Sequence, residues 1–163
     1  MKLVGFASVL VALTAPAFGH WMLSTHRGTF DTVPLYAQRE DGSSFGLSLE
    51  CNADDVPVAR FSTPEKVALG QAELMDTTSL NLVVQVDDNK HFILSGKTDS
   101  ADGGQLSVTG EMPMDLLAQM GTAERSITSG LKILGAVYYT TAFSVDSARI
   151  ASRALARGCG ANF

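Results

Sequence analysis

Residues 45–51 read Phe45-Gly46-Leu47-Ser48-Leu49-Glu50-Cys51. Phe45, Leu47, Leu49 and Cys51 alternate with small or polar neighbours, the period of a β-strand with one buried face. Cys51 lies on the apolar face, so its thiol points into the core. Ahead of it, Asp41-Gly42-Ser43-Ser44 is turn chemistry, and residues 32–38 alternate Val33, Leu35 and Ala37 against polar or small residues. Two alternating runs joined by a short polar turn predict a hairpin.

Outward from the hairpin the chain continues as strands. Residues 56–62 carry Val56, Val58 and Phe61 in imperfect phase, and residues 71–76 read as a further strand. Residues 79–87 place Leu80, Leu82 and Val84 on one face, with Val83 and Val86 opposite. Residues 87–90 turn the chain, 91–96 return it, 97–104 form a loop and 105–111 form another alternating run with Leu106 and Val108. The period then changes: Leu116, Leu117 and Met120 sit at helical spacing in 113–120, with Pro113 at the first helical position and Gly121 ending it. Residues 126–135 and 136–145 return to strand, the second rich in β-branched and aromatic residues. Tyr138 and Tyr139 would face opposite ways.

The last element is a helix. Asp146 or Ser147 can cap its start, and Ile150, Ala151, Ala154 and Leu155 form its buried face. Gly158 stops it and Cys159 follows. The fold expected is α+β: mainly antiparallel β, as a sheet or sandwich, with a short central helix and a C-terminal helix.

The first residues have a different purpose. Lys2 is followed by an apolar stretch and then small residues, the layout of a secretory signal. The apolar core, Leu3 to Leu13, is shorter than the roughly 20 residues needed to span a membrane. Ala17 and Gly19 suit a cut after Gly19, leaving residues 20–163 as a single β-rich domain that is periplasmic or secreted. Two cysteines in an exported chain predict one disulfide, Cys51 to Cys159. It would staple the end of the last helix to the hairpin. No Cys-x-x-Cys points to redox work. The chain is 45% hydrophobic, enough to bury a core, and its net charge is −5. That charge argues against nucleic acid and against docking on anionic lipid. No second long apolar run follows the signal, so no integral membrane segment is expected after cleavage.

Several features together carry a family resemblance. They are Trp21, Phe30-Asp31-Thr32, Leu47 to Cys51, residues 79–88, the helix with Leu116 and Leu117, and the ending from Ala142 to Cys159. The chain resembles the invasion-associated locus B-like proteins of alphaproteobacteria and the accessory periplasmic proteins of type VI secretion. The resemblance implies a disulfide-bonded periplasmic β-rich domain, and it brings no catalytic residues with it. Trp21 would anchor the first strand.

Chemistry-bearing residues are few. His20, exposed as a new N-terminus, could chelate copper through its amine and ring with His91 as a second imidazole. The chain's remaining histidine is His26. Three isolated histidines without ligand spacing favour no metal and no cofactor. Residues 42–46 match Gly-x-Ser-x-Gly around Ser44, but that nucleophile motif needs a helix after it and a strand is expected instead. The acidic loops at 52–55 and 98–104 lack the ligand series of a calcium site. Arg149, Arg153 and Arg157 form a basic stripe on the last helix, which could meet an acidic partner or an anionic glycan. The preferred alternative is a solvated face whose cations favour the helix dipole. The expectation for function is a non-enzymatic envelope protein with a structural or protein-interaction role and an unidentified envelope partner. The alternative is copper binding at His20.

Overall fold

The computed structural model describes residues 23–26, 29–32, 35–38, 43–99 and 104–160, with side-chain surroundings from residue 43 onward. The expected export signal, His20 and Trp21 lie outside the described residues. The first strands are β1 (Leu23–His26), β2 (Thr29–Thr32), β3 (Leu35–Gln38), β4 (Ser44–Cys51) and β5 (Pro57–Lys66). Helix α1 (Leu69–Asp76) precedes β6 (Leu80–Val86), β7 (Phe92–Asp99) and β8 (Gln105–Glu111). Helix α2 (Met114–Met120), β9 (Ile127–Ile133), β10 (Ala136–Phe143) and α3 (Ala148–Gly158) complete the order.

The strands pair antiparallel in the order β1-β2-β4-β5-β8-β7-β6-β9-β10, with β3 also on β4. The seven-strand path from β4 to β10 curls, so that β10 returns beside β3. Phe143 on β10 meets Phe61 on β5 edge-to-face at 6.2 Å, and Phe61 stacks on Phe45 at 5.8 Å. Inside the curl sit Leu47, Leu49, Leu82, Val84, Val108, Ile127 and Leu131, all at most 1% exposed. Leu116, Leu117 and Met120 of α2 and Leu155 of α3 plug it. Each buried Leu removed from such a core costs about 2–5 kcal/mol, so the inner face is where the fold draws its stability.

The hairpin forms as expected, with Leu35 opposite Leu47 and Gln38 opposite Ser44. The core-facing thiol also meets its partner: Cys51 is bonded to Cys159, with Cα atoms 5.5 Å apart across 108 residues of sequence.

Other expectations need correction. Residues 71–76 are helix, not strand: they belong to α1. Gln, Ala, Glu, Leu and Met are all good helix formers. Gln71 also reaches back to accept the Ala68 N–H at 3.2 Å, which satisfies one of the N–H groups that a helix start leaves free. Val86 shares the buried face with Leu80, Leu82 and Val84, because all four have the same strand parity. The presumed loop at 97–104 begins later, since β7 runs on to Asp99. Pro113 precedes α2 as its cap rather than opening it.

Two corrections concern the C-terminal third. Tyr138 and Tyr139 do not part to opposite faces; their rings lie 6.4 Å apart. The register with β9 shifts between Tyr138 and Thr141, and Tyr139 has φ +56°, so a β-bulge turns its side chain. Burial and the nearby Glu65 raise the Tyr139 pKa. In α3 the buried row is Ala148, Ala151, Ser152, Leu155 and Ala156. Ile150, expected inside, is 63% exposed.

Asp87 shows how the turns are held. Its backbone takes φ +51°. Its Oδ1 accepts the N–H groups of Arg125 at 2.7 Å and Ser126 at 3.0 Å, and its Oδ2 accepts that of Glu124 at 3.1 Å. Desolvation pushes this carboxyl up, but the three N–H donors and the Arg125 charge outweigh it and hold the pKa below the usual aspartate value. The carboxylate therefore ties the end of β6 to the entry of β9.

Candidate functional site

The outer face of α3 gathers three arginines in one row. The helix starts at Ser147, whose φ of +65° turns the chain sharply out of β10. The Cys159 bond to Cys51 fixes its far end. Between these anchors the small residues Ala148, Ala151, Ser152 and Ala156 face inward, which lets the backbone lie close against the sheet and α2. The helix is thus held in one rotation about its axis. That rotation presents Arg149, Ile150, Arg153 and Arg157 to solvent.

The three arginines follow at four-residue spacing, one turn apart. None forms an ion pair among the described residues, whereas Arg60 and Arg125 pair with Glu50 and Asp88. The Arg157 guanidinium Nε donates to the Arg153 carbonyl at 3.3 Å and so lies along the helix. The helix dipole accounts for Arg157, which is in the last turn. It does not account for Arg149, which sits in the first turn, where a cation is disfavoured. Ile150 flanks this row with its side chain in water. Spacing alone revealed the arginines, but not the exposed isoleucine beside them.

The remaining sequence candidates do not converge. His91 is exposed and sits just before β7. It borders a depression of about 250 Å3 on the outer face of the sheet, floored by Val83 and Gly130 and edged by Ile93, Val137 and Lys132. His26 ends β1, and His20 lies outside the described residues. Among the described residues no three His, Cys, Asp or Glu side chains gather as a metal site. Ser44 is the first residue of β4, so a strand and not a helix follows it. In the acidic loop 52–55, Asn52 Oδ1 accepts the N–H groups of Asp54 and Val56, both at 2.9 Å, which is a local turn. Among the described residues no helix is long and apolar enough to cross a membrane.

A second opening lies where β7 changes partners. A groove of about 1100 Å3 runs between Phe92–Ser95 of β7 and Gly110–Pro113, and Lys97, Arg60 and Glu50 also line it. No local pattern marks it, because it arises from pairing between distant strands.

The curled antiparallel sheet plugged by helices has a counterpart among solved structures. The fold resembles that of invasion associated protein B. The match is to the crystal structure of that protein from Bartonella henselae, with a TM-score of 0.57 and 12% identity, covering 86% of this chain and 94% of that one. The Bartonella protein thus shares the architecture over nearly its whole length while sharing few residues. No protein-family model matches the chain, and no curated protein matches it by sequence.

Proposed function

We propose that this is an exported domain that works by binding rather than by chemistry, docking an acidic segment of another envelope protein on the outer face of α3. The observation that carries the reading is the stripe of Arg149, Arg153 and Arg157. These are three exposed guanidiniums without ion pairs among the described residues, flanked by an exposed Ile150, on a chain of net charge −5. Guanidinium forks bind carboxylates in pairs of hydrogen bonds, and an aliphatic side chain at the flank of the row supplies area that water leaves readily. The disulfide supports an oxidising compartment. The likeness to an invasion associated protein supports an envelope setting.

The test is photo-crosslinking in the cells that make the protein. A benzophenone residue replacing Ile150 should give one discrete adduct. The adduct should vanish when Arg149, Arg153 and Arg157 are all changed to Glu, and it should weaken as salt rises, since exposed charges are screened within about 10 Å at 0.1 M. The same probe at Leu74, equally exposed on α1, should give none. Adducts that ignore the charge reversal, or that form equally from Leu74, would overturn the proposal.

A further inference from the structure

The depression on the outer face of the sheet is built by strand register. Ile93 of β7 lies opposite Val83 of β6, and Val83 lies opposite Gly130 of β9. Two residues along the same face, Lys132 pairs with Val137 of β10. Two residues the other way, Thr128 pairs with Gln85. His91, just ahead of Phe92, borders that same end. Successive residues on one face of a strand stand about 7 Å apart. Lys132, Gly130 and Thr128 therefore mark one end, the middle and the other end of a site roughly 13 Å long.

A glycine and a bulge make the hollow. Leu131 lies opposite Tyr138 and Ser129 opposite Thr141, so Gly130 alone faces both Tyr139 and Thr140. A Cβ at Gly130 would come within 3.0 Å of Thr140 Oγ1 and 3.2 Å of the Tyr138 carbonyl oxygen. The bulge holds Tyr139 at φ +56°, a backbone that a bulky residue adopts only at a cost in free energy. Glycine inside a strand also weakens it, and marks places where a ligand or another backbone comes close. Two locally unfavourable choices thus meet at one point and leave a bare floor beside β10. Val83 shows the result: it belongs to the outer face, yet it is 8% exposed.

The lining is divided by chemistry. Its middle is apolar: Val83 floors it, and Ile93 and Val137 stand over half exposed around it. One end carries the Lys132 ammonium, half-buried and without an ion pair among the described residues. Among the described residues no Asp or Glu lines the depression. The other end offers the Gln85 amide, the Thr128 hydroxyl and the His91 imidazole. On a chain of net charge −5, a lysine at the end of an apolar hollow with no acid beside it is complementary to an anion.

We infer that the depression binds a small hydroxyaryl carboxylate. Its acid group meets Lys132, its ring lies over Gly130 among Val83, Ile93 and Val137, and its hydroxyl meets the end formed by Gln85 and Thr128. The volume of about 250 Å3 admits one ring with a short side chain, at the small end of ligand pockets. A long acyl chain fits poorly, because its last carbons would cover the polar groups of Gln85, Thr128 and His91 and leave them without hydrogen bonds. The bare glycine floor suits a flat ring. The site uses no residue of α3 and stands without the docking proposed there.

Amide chemical shifts of the isotope-labelled full chain test the inference. The probe is para-hydroxyphenylpropionate. It should move the Val83, Ile93, Gly130 and Thr140 signals saturably, with half-saturation at or below about 1 mM. The neutral para-hydroxyphenylpropionamide should bind about tenfold more weakly, the loss expected for one charge-assisted hydrogen bond. Lys132→Met should weaken the acid by the same factor and leave the amide unchanged. Decanoate should bind these residues more weakly than the probe. The amide needs no protein variant, so a misfolded Lys132→Met chain does not spoil the test. Equal binding of acid and amide would overturn the inference. So would shifts centred on other residues, no movement at about 10 mM probe, or tighter binding of decanoate. Signals at these four residues that move when the free protein is concentrated would give the face to a second copy, and would equally overturn it.

Discussion

Removing the Asp87 carboxylate should destabilise the domain by a large and pH-dependent amount. Three backbone N–H groups, those of Glu124, Arg125 and Ser126, end on its two oxygens. Each such bond contributes roughly 1 kcal/mol at a half-buried site, where water already screens part of the charge. Asp87→Ala also places a Cβ residue without a local hydrogen bond at φ +51°, which costs about 1 kcal/mol more. The expected loss is about 3–4 kcal/mol at pH 7. Asn tolerates this backbone and keeps one carbonyl oxygen, so Asp87→Asn should lose only about 1–2 kcal/mol. The folded pKa is lowered. The contribution is therefore complete above the unfolded aspartate value near 3.9 and is lost as pH falls through the folded one. Urea denaturation at pH 7 and at steps down into acid measures both effects. The gap between wild type and Asp87→Asn should be constant near neutrality and close below about pH 4. An Asp87→Ala variant within about 0.5 kcal/mol of wild type, or a gap that stays constant into acid, would show that the carboxylate does not hold the turn.

Two further outcomes follow from the packing. Changing both Cys51 and Cys159 to Ala frees a loop of 108 residues and should cost on the order of 5 kcal/mol in urea denaturation. A loss under about 1 kcal/mol would show that the staple adds little. Gly110→Ala places a Cβ 2.8 Å from Leu94 Cβ; the strands must shift, and thermal denaturation should report a loss of about 1–3 kcal/mol. An unchanged midpoint would mean that the crease between β7 and β8 gives way freely.

Much of the fold could be read from alternation. β4, β6, β8 and β9 each line up their core side chains at every second position, and their residues show it, whereas β10 buries only Phe143. The 71–76 stretch of α1 is ambiguous in sequence because six residues of mixed polarity fit two periods equally well, and the cap that decides between them joins Ala68 to Gln71. The buried face of α3 is out of phase with its hydrophobic pattern for a related reason. Its true inner row is made of alanines and Ser152, whose small size suits close approach, while the bulky Ile150 is left in water. Hydrophobicity ranks Ile above Ala, whereas packing against the sheet selects small side chains. The left-handed Tyr139 and the split pairing of β7 left no local mark. Both follow from how strands far apart in sequence meet. The arginine stripe was legible by its spacing. Its lack of ion-pair partners among the described residues was not, because any counter-charge would have to come from other elements.

The proposed exported domain is stapled from β4 to α3 by the Cys51–Cys159 bond. Thiol trapping in the cells that make it tests this directly. Cells are quenched in acid, alkylated without reduction, and the protein is resolved by mass. The mature-sized form should carry no alkylated cysteine before reduction and two after it. A mature-sized form with both Cys51 and Cys159 alkylated before reduction would show that the chain carries no such staple in the cell.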